Sequence, residues 1–325
     1  MVPLQKQTPL RQIPASEPTR RSENDRPAPA RRRSAFLPLI GRIIRALPPG
    51  LPTWVYTTLL KPPALRRWTN ALLLRMIPES VSINGVTIML NPADPVVSTA
   101  LALGVYETVE TRLLADRVRP GMHVLDIGAN VGYFTALLAA AVGPTGSVTA
   151  FEPEPANHAV LSKTVEANGF AHVQLVRGAV SEATGSSFLF LSELNQGDHR
   201  LYATAGRAKI SVPNLSLDSF LLPGVPVDFI KMDIQGSEGL ALRGMRSTLR
   251  RNPQVQILTE FWPEGLTQAG VAPTEFLETL HGELGFSLWE VDEKRGGLKP
   301  VKDFADLIAR HPGRCYTNLL CARSD

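Results

Sequence analysis

The sequence predicts an α/β protein built on a parallel sheet and carried behind a basic leader. Short apolar runs alternate with helically spaced ones from about residue 80 onward, and a glycine-rich turn joins one such run to a helix. Basic residues and prolines, in contrast, crowd the first 75 positions.

The chain has 325 residues and a formal net charge of +4. Residues 1–75 hold 14 basic and 3 acidic residues, a net +11, whereas residues 76–325 hold 20 and 27, a net −7. Twelve of the 27 prolines also fall in the first 75 residues. Residues 1–33 carry almost no large apolar groups, so burial cannot offset the entropy of ordering them, and they are expected to be disordered. Residues 34–79 read as a helical extension. Ser34 can cap a helix that places Phe36, Ile40, Ile43, Ile44 and Leu47 on one face and Arg42 and Arg45 on the other. With Arg31-Arg32-Arg33 before it, segment 31–47 can lie peripherally on an anionic membrane surface. Packing on the rest of the chain is the plainer reading. No apolar stretch reaches the roughly 18 residues of a spanning helix. The first 33 residues lack a secretory signal's apolar run, so the expected location is cytoplasmic, with peripheral contact at the inner membrane surface. The two cysteines, Cys315 and Cys321, sit in one apolar run and are expected to be buried, reduced thiols.

Residues 80–325 form the expected domain. Ser82–Leu90 alternates around Asn84-Gly85, a hairpin signal. A helix is predicted over Thr99–Val118, then a strand over His123–Ile127 and a helix over Tyr133–Val142. Strand Ser147–Phe151, helix Ala156–Asn168 and strand Val173–Val176 repeat the pattern. Ser187–Leu191 and Lys209–Pro213 read as an inserted antiparallel pair flanking a polar loop, Asn195–Gly206. Strand Val227–Met232, helix Glu238–Arg250, strand Val255–Glu260 and helix Thr274–Leu284 follow. Phe286–Val291 and Tyr316–Cys321 are the last strands, the final one antiparallel because no long crossover helix precedes it.

The central motif is Asp126-Ile127-Gly128-Ala129-Asn130-Val131-Gly132-Tyr133. A buried strand turns here into a helix start, whose free N–H groups and glycines admit a ligand closely. The spacing G-x-x-x-G departs from the dinucleotide fingerprint G-x-G-x-x-G, and Asp126 stands two residues before the first glycine, where it would repel a pyrophosphate. A ligand with positive charge suits it better, and S-adenosylmethionine carries a sulfonium and an amino group. Glu152, at the end of the second strand, is placed to accept both ribose hydroxyls, with Pro153 shaping the loop after it. Asp126, Gly128, Asn130, Gly132, Tyr133, Glu152, Pro153 and Glu107 are the candidate cofactor residues.

These residues carry a resemblance. From about residue 80 onward the chain resembles the FkbM family of S-adenosylmethionine-dependent methyltransferases, in particular its O-methyltransferases. It shares Gly104-Val105-Tyr106-Glu107, Pro120-Gly121, the 126–133 run, Glu152-Pro153, Asn168-Gly169 and Ser216-Leu217-Asp218-Ser219. Most specific is Asp228–Glu238, which resembles the family's K-x-D-x-E-G-x-E signature, with Gln235 where the family usually has Glu. The resemblance implies a Rossmann-like class I methyltransferase sheet of seven strands, order 3-2-1-4-5-7-6 with strand 7 antiparallel, flanked by helices.

The fourth strand supplies the expected catalytic groups. Lys231 and Asp233, two apart, share a face at the strand end where ligands gather in parallel sheets. Methyl transfer is an in-line displacement that depends on alignment, and a hydroxyl acceptor also needs a base. Asp233 is the first candidate base, then His199 in the polar loop, then Glu238. The plain alternatives are a turn carboxylate for Asp233, a solvated loop residue for His199 and a first-turn acid favoured by the helix dipole for Glu238. No metal is assigned, although Asp233 with Glu238 can ligate a cation. Gln235 cannot act as a base, so binding of the cofactor without turnover stays open beside O-methylation of a small molecule, sugar or glycan. Nucleic acid is not expected as partner: the leader lacks aromatic-basic interleaving, and residues 233–236 lack the Pro-Pro-aromatic run of amino-methylating enzymes.

Overall fold

The computed structural model describes residues 77–323 other than Pro92, Pro95, Val105, Glu193, Leu194 and Lys294. The leader, segment 31–47 and all but the last residues of the 34–79 extension lie outside the described residues.

Strands β1 (Ser80–Ile83) and β2 (Val86–Met89) form the expected antiparallel hairpin. Asn84 and Gly85 both adopt positive φ, as a tight two-residue hairpin turn requires. The single helix predicted over Thr99–Val118 is two helices, α1 (Val97–Leu103) and α2 (Thr108–Arg117). Gly104 at φ 66° and Glu107 at φ 38° are left-handed, which ends one helix and re-aims the chain into the next.

Next come β3 (His123–Ile127), α3 (Tyr133–Val142), β4 (Ser147–Phe151), α4 (Pro155–Asn168) and β5 (Val173–Val176), close to the predicted bounds. A side sheet holds β6 (Ala179–Val180), β7 (Gly185–Phe190) and β8 (Lys209–Leu215), with β7 and β8 antiparallel as read from the sequence. A short helix α5 (Leu217–Phe220) leads to β9 (Phe229–Met232). The helix expected over Glu238–Arg250 divides into α6 (Glu238–Arg243) and α7 (Arg246–Arg251). The chain then runs through β10 (Gln256–Phe261), α8 (Pro263–Gln268) and α9 (Pro273–Glu278), which passes into a π-helical turn over Thr279–Glu283. Strands β11 (Ser287–Asp292) and β12 (Gly297–Pro300), helix α10 (Phe304–Arg310) and β13 (Thr317–Ala322) complete it.

The main sheet has eight strands in the order β12-β11-β13-β10-β9-β3-β4-β5. Without β12 this is the expected 3-2-1-4-5-7-6 arrangement. Strands β5, β4, β3, β9 and β10 are mutually parallel, and β13 is antiparallel to both its neighbours. The eighth strand is an addition: β12 folds back on β11 as an edge hairpin. Each central strand is apolar on both sides, as burial between two helical layers demands. Leu125, Ile230, Ile257 and Leu319 enter one core with Leu242, Leu249 and Leu277. Their chain neighbours Val124, Phe229, Leu258 and Leu320 enter the other with Leu101, Leu114 and Leu138. Alternation of side chains along a strand produces that division, and each fully buried side chain contributes roughly 1.5–3 kcal/mol.

Cys321 is buried on β13, but Cys315 is exposed, against expectation. The strand begins only at Thr317, so Cys315 belongs to the turn before it, where its N–H donates to the Pro312 carbonyl. Among the described residues no helix is long and apolar enough to cross a membrane.

Candidate active site

A cavity of about 560 Å³ opens over the ends of β3, β4, β9 and β10. In a parallel sheet these carboxyl ends leave backbone groups and side chains facing a common crevice. The β3–α3 turn supplies Gly128, Asn130 and Tyr133 to its lining, the end of β4 supplies Glu152 and Pro153, and the end of β9 supplies Lys231, Asp233 and Gln235. Glu260 from β10, Glu107 from the α1–α2 break, Tyr316 and Asn318 around the start of β13, and His199 close it.

The cofactor end is ordered by backbone bonds. The N–H groups of Gly128 and Ala129 both donate to the Phe151 carbonyl at 3.0 Å, locking the turn to the end of β4. Gly128 has φ 85°, and a Cβ there would lie 1.9 Å from the Asp233 carbonyl oxygen. The turn therefore passes so close to β9 that only glycine fits. Asn130, at φ 51°, donates its N–H to Glu152 Oε2 at 2.8 Å, and Glu154 donates its own to Oε1 at 2.9 Å. Burial pushes the Glu152 carboxyl up to about 7, against the opposing pull of those two N–H groups. Tyr133 meets Tyr106 edge-on at 5.3 Å and shares a 2.9 Å hydrogen bond with the Thr111 hydroxyl.

Two predicted cofactor residues stand elsewhere. Gly132 is absent from the lining. A Cβ there would lie 2.7 Å from Leu161 Cδ1, so the glycine lets α3 approach α4. Asp126 is fully buried below the cavity floor, where the Thr135 hydroxyl donates to it at 2.6 Å. Its carboxyl is raised by burial, with the Lys231 charge opposing.

The acceptor end is dense in carboxylates. Lys231 Nζ lies 3.6 Å from Asp233 Oδ2 and 4.9 Å from the Phe134 ring centre. Burial alone would lower the ammonium's pKa, but Asp233, Asp126, Glu107 and Glu260 together hold it raised. The other Asp233 oxygen, Oδ1, accepts from Gln235 Nε2 at 2.9 Å, and the same amide reaches both Glu260 oxygens at 3.3 and 3.4 Å. Gln235 makes this bridge from a left-handed backbone, φ 55°. Burial raises Glu107 to about 8, and Asp233 adds to the shift while Lys231 opposes it. Burial also drives Glu260 well above the carboxylate range, reinforced by Asp233 and Glu238.

His199 reaches the lining, where its Nδ1 accepts from the Ser192 N–H at 3.0 Å. That bond places the ring proton on Nε2, and burial lowers the ring's pKa. Glu238 is fully buried behind Asp233, outside the lining, with Oε1 accepting from the Ile234 N–H at 2.8 Å. Glu260 was not singled out from sequence. Its signal was its place as the last residue of the predicted strand Val255–Glu260, which pairs with β9.

An α/β sheet in this order, with a glycine turn and an acid at the next strand end, defines the class: a methyltransferase-type domain with its cofactor over the strand ends. The chain belongs to the FkbM methyltransferase family, whose domain matches residues 126–288. Protein-L-isoaspartate O-methyltransferase 1 of Arabidopsis thaliana is 32% identical over 128 residues, 38% of this chain and 54% of that protein. The Triticum aestivum protein-L-isoaspartate O-methyltransferase is 41% identical over 59 residues, 18% of this chain and 26% of that one. The chain thus spans between a quarter and about half the length of these curated relatives. Methyltransferase FkbM from Methylobacillus flagellatus KT superposes with a TM-score of 0.39 at 15% identity, over 79% of this chain and 59% of that one. A SAM-dependent methyltransferase from Aquifex aeolicus gives 0.38 at 16%, over 66% and 88%.

S-adenosylmethionine is the cofactor of such a domain, and the residues here fit it. Asn130 Oδ1 is buried without a partner, ready to accept from a ligand donor. Glu152 lines the cavity with lone pairs to spare beyond its two backbone bonds. The described lining carries Glu107, Glu110, Glu152, Asp233, Glu260 and Glu293 against Lys231, a balance that favours a cationic ligand.

Proposed function

We propose that the protein transfers a methyl group from S-adenosylmethionine to a hydroxyl oxygen of a small molecule, sugar or glycan. The observation that carries this reading is Asp233, at the end of β9, lining the cavity with one oxygen toward Lys231 and the other toward Gln235 and Glu260. The cofactor, when bound, supplies an electrophilic methyl on a sulfonium. Glu152 and Asn130 hold its ribose end. Lys231 pairs with Asp233, which takes the proton of the acceptor hydroxyl. Gln235 and Glu260 fix the rotamer from which Asp233 does so, and Tyr316 walls the acceptor. His199 and Glu238 are the less favoured bases: the His199 ring spends Nδ1 on a backbone bond, and Glu238 sits behind the wall.

The curated relatives are named for a carboxyl acceptor. The lining here argues for a neutral acceptor, because Lys231 is the single side-chain cation among the described lining residues and is already paired with Asp233. Labelled-methyl transfer assays on a panel of hydroxyl compounds and an isoaspartyl peptide test the reading. Label on a hydroxyl oxygen supports it; label on the peptide carboxylate alone refutes it. Cofactor binding with no transfer to any acceptor would favour the non-catalytic alternative.

The location proposed is cytoplasmic, with segment 31–47 able to touch anionic lipid. Removing residues 1–33 should change sedimentation with anionic vesicles and leave cofactor affinity intact; a large loss of affinity would contradict it.

A further inference from the structure

We propose that Asp233, Glu238 and Glu260 form a divalent-cation site within the wall at the acceptor end of the cavity. One carboxylate oxygen from each lies within 4.8 Å of the others. Oxygens around one Mg²⁺, Mn²⁺ or Ca²⁺, at about 2.0–2.6 Å from the ion, are separated by up to roughly 4–5 Å, so the three groups already stand at ligand separation. A second observation points the same way. Glu238 is fully buried, one of its oxygens accepts from the Ile234 N–H, and the other has no hydrogen-bond partner. A buried carboxylate oxygen left bare costs free energy unless something cationic or protic meets it.

Compensation by side chains is incomplete. Lys231 contacts Asp233 through Oδ2, while Oδ1 accepts from the Gln235 amide. The neutral Gln235 amide links Asp233 and Glu260, donating to both. That amide carries its own oxygen on the same carbon, so a half-turn about its last bond replaces a donor by a fourth oxygen ligand. Hard divalent ions prefer such all-oxygen sets, and affinity grows with the number of charged ligands. Gln235, standing where the signature usually has Glu, therefore sets a site of moderate affinity. The sequence pointed to the pair Asp233 and Glu238; β10 brings the third ligand. A cation here would lie beside Asp233, where an acceptor hydroxyl must sit, and would bind that oxygen.

The proposal stands apart from the methyl-transfer reading, because uptake of the ion is measured directly. The full chain, stripped with a chelator, is titrated with Mn²⁺ while free Mn²⁺ is followed by electron paramagnetic resonance, and S-adenosylmethionine binding is measured separately by calorimetry. The expected result is one Mn²⁺ per chain, weakened more than about tenfold by Glu260→Gln and by Glu238→Gln and tightened by Gln235→Glu, with cofactor binding retained to report a folded chain. No uptake at millimolar Mn²⁺ by a chain that binds the cofactor would overturn the site, as would uptake indifferent to all three substitutions. Mn²⁺ uptake with no cofactor binding would sink the methyl-transfer reading and leave the cation site standing. If the two Gln variants fail to fold, the tightening by Gln235→Glu decides the matter.

Discussion

The two ends of the cavity are built on different principles. At the cofactor end, one turn and one strand end hold each other: Gly128, Ala129 and Asn130 spend their N–H groups on Phe151 and Glu152, within 25 residues of sequence. At the acceptor end, carboxylates from the α1–α2 break, β9, α6 and β10 are pressed together with one ammonium and one amide among them. The first end is a backbone cradle whose polar groups are mostly satisfied. The second is an electrostatic arrangement that is left short of positive charge. A cradle fixes a ligand's position; a charge-dense end is suited to moving a proton or holding a cation.

That contrast can be broken in several ways. Asp233→Asn should reduce methyl transfer by about 10²–10⁴-fold, the range of a lost general base, while cofactor affinity changes little. Single-turnover kinetics beside calorimetry check it, and comparable losses in both would merge the two ends. Glu152→Gln should act the other way, weakening S-adenosylmethionine by about 10–100-fold through loss of a charge-assisted hydrogen bond, measured as Kd.

The pH dependence sharpens the same comparison. Burial raises Glu152 to about 7, so the folded chain takes up a proton there that the unfolded chain holds only below the usual carboxylate range. The stability associated with the protonated group is full at low pH and is lost as pH rises from the unfolded pKa through about 7. Cofactor affinity should move oppositely, because the ionised form accepts the ribose hydroxyls: it should strengthen as pH rises and level off above about 7. Calorimetry at several pH values checks this, and Glu152→Gln should flatten the profile.

The smallest expected effect concerns Gly132. Its Cβ contact with Leu161 and its φ of 89° predict that Gly132→Ala costs about 1–3 kcal/mol of stability. The folded fraction should bind cofactor as before. Thermal unfolding and calorimetry separate the two, and a loss of affinity without a loss of Tm would return Gly132 to the ligand site.

The sequence was most legible where the deciding contacts are local. The 126–133 turn, the acid at the end of β4 and the alternation of apolar runs are readable because a strand, a tight turn and a helix each impose a period or a residue type on their own segment. Helix breaks were not. Gly104 and Glu107 divide one periodic stretch, and Gly244 ends α6 beneath Ser181, whose carbonyl oxygen a Cβ would meet at 2.0 Å. Helical spacing continues through both breaks, so periodicity alone runs the helices together. The site shows the same division. Glu152 follows from its place 20 residues past Gly132, whereas Glu260 becomes a site residue only because β10 pairs with β9.

By itself the sequence determined the α/β class, the strand order carried by its family signature, the charge split between leader and body, and the residues of the glycine turn. Those depend on composition and on interactions between near neighbours in the chain. Only the tertiary structure decided that Asp126 is fully buried against Thr135, that Gly132 packs on Leu161, that Cys315 is exposed, and that Gln235 joins Asp233 to Glu260. Each of those depends on which strands pair and how closely helices approach, and such distances arise between residues far apart in sequence.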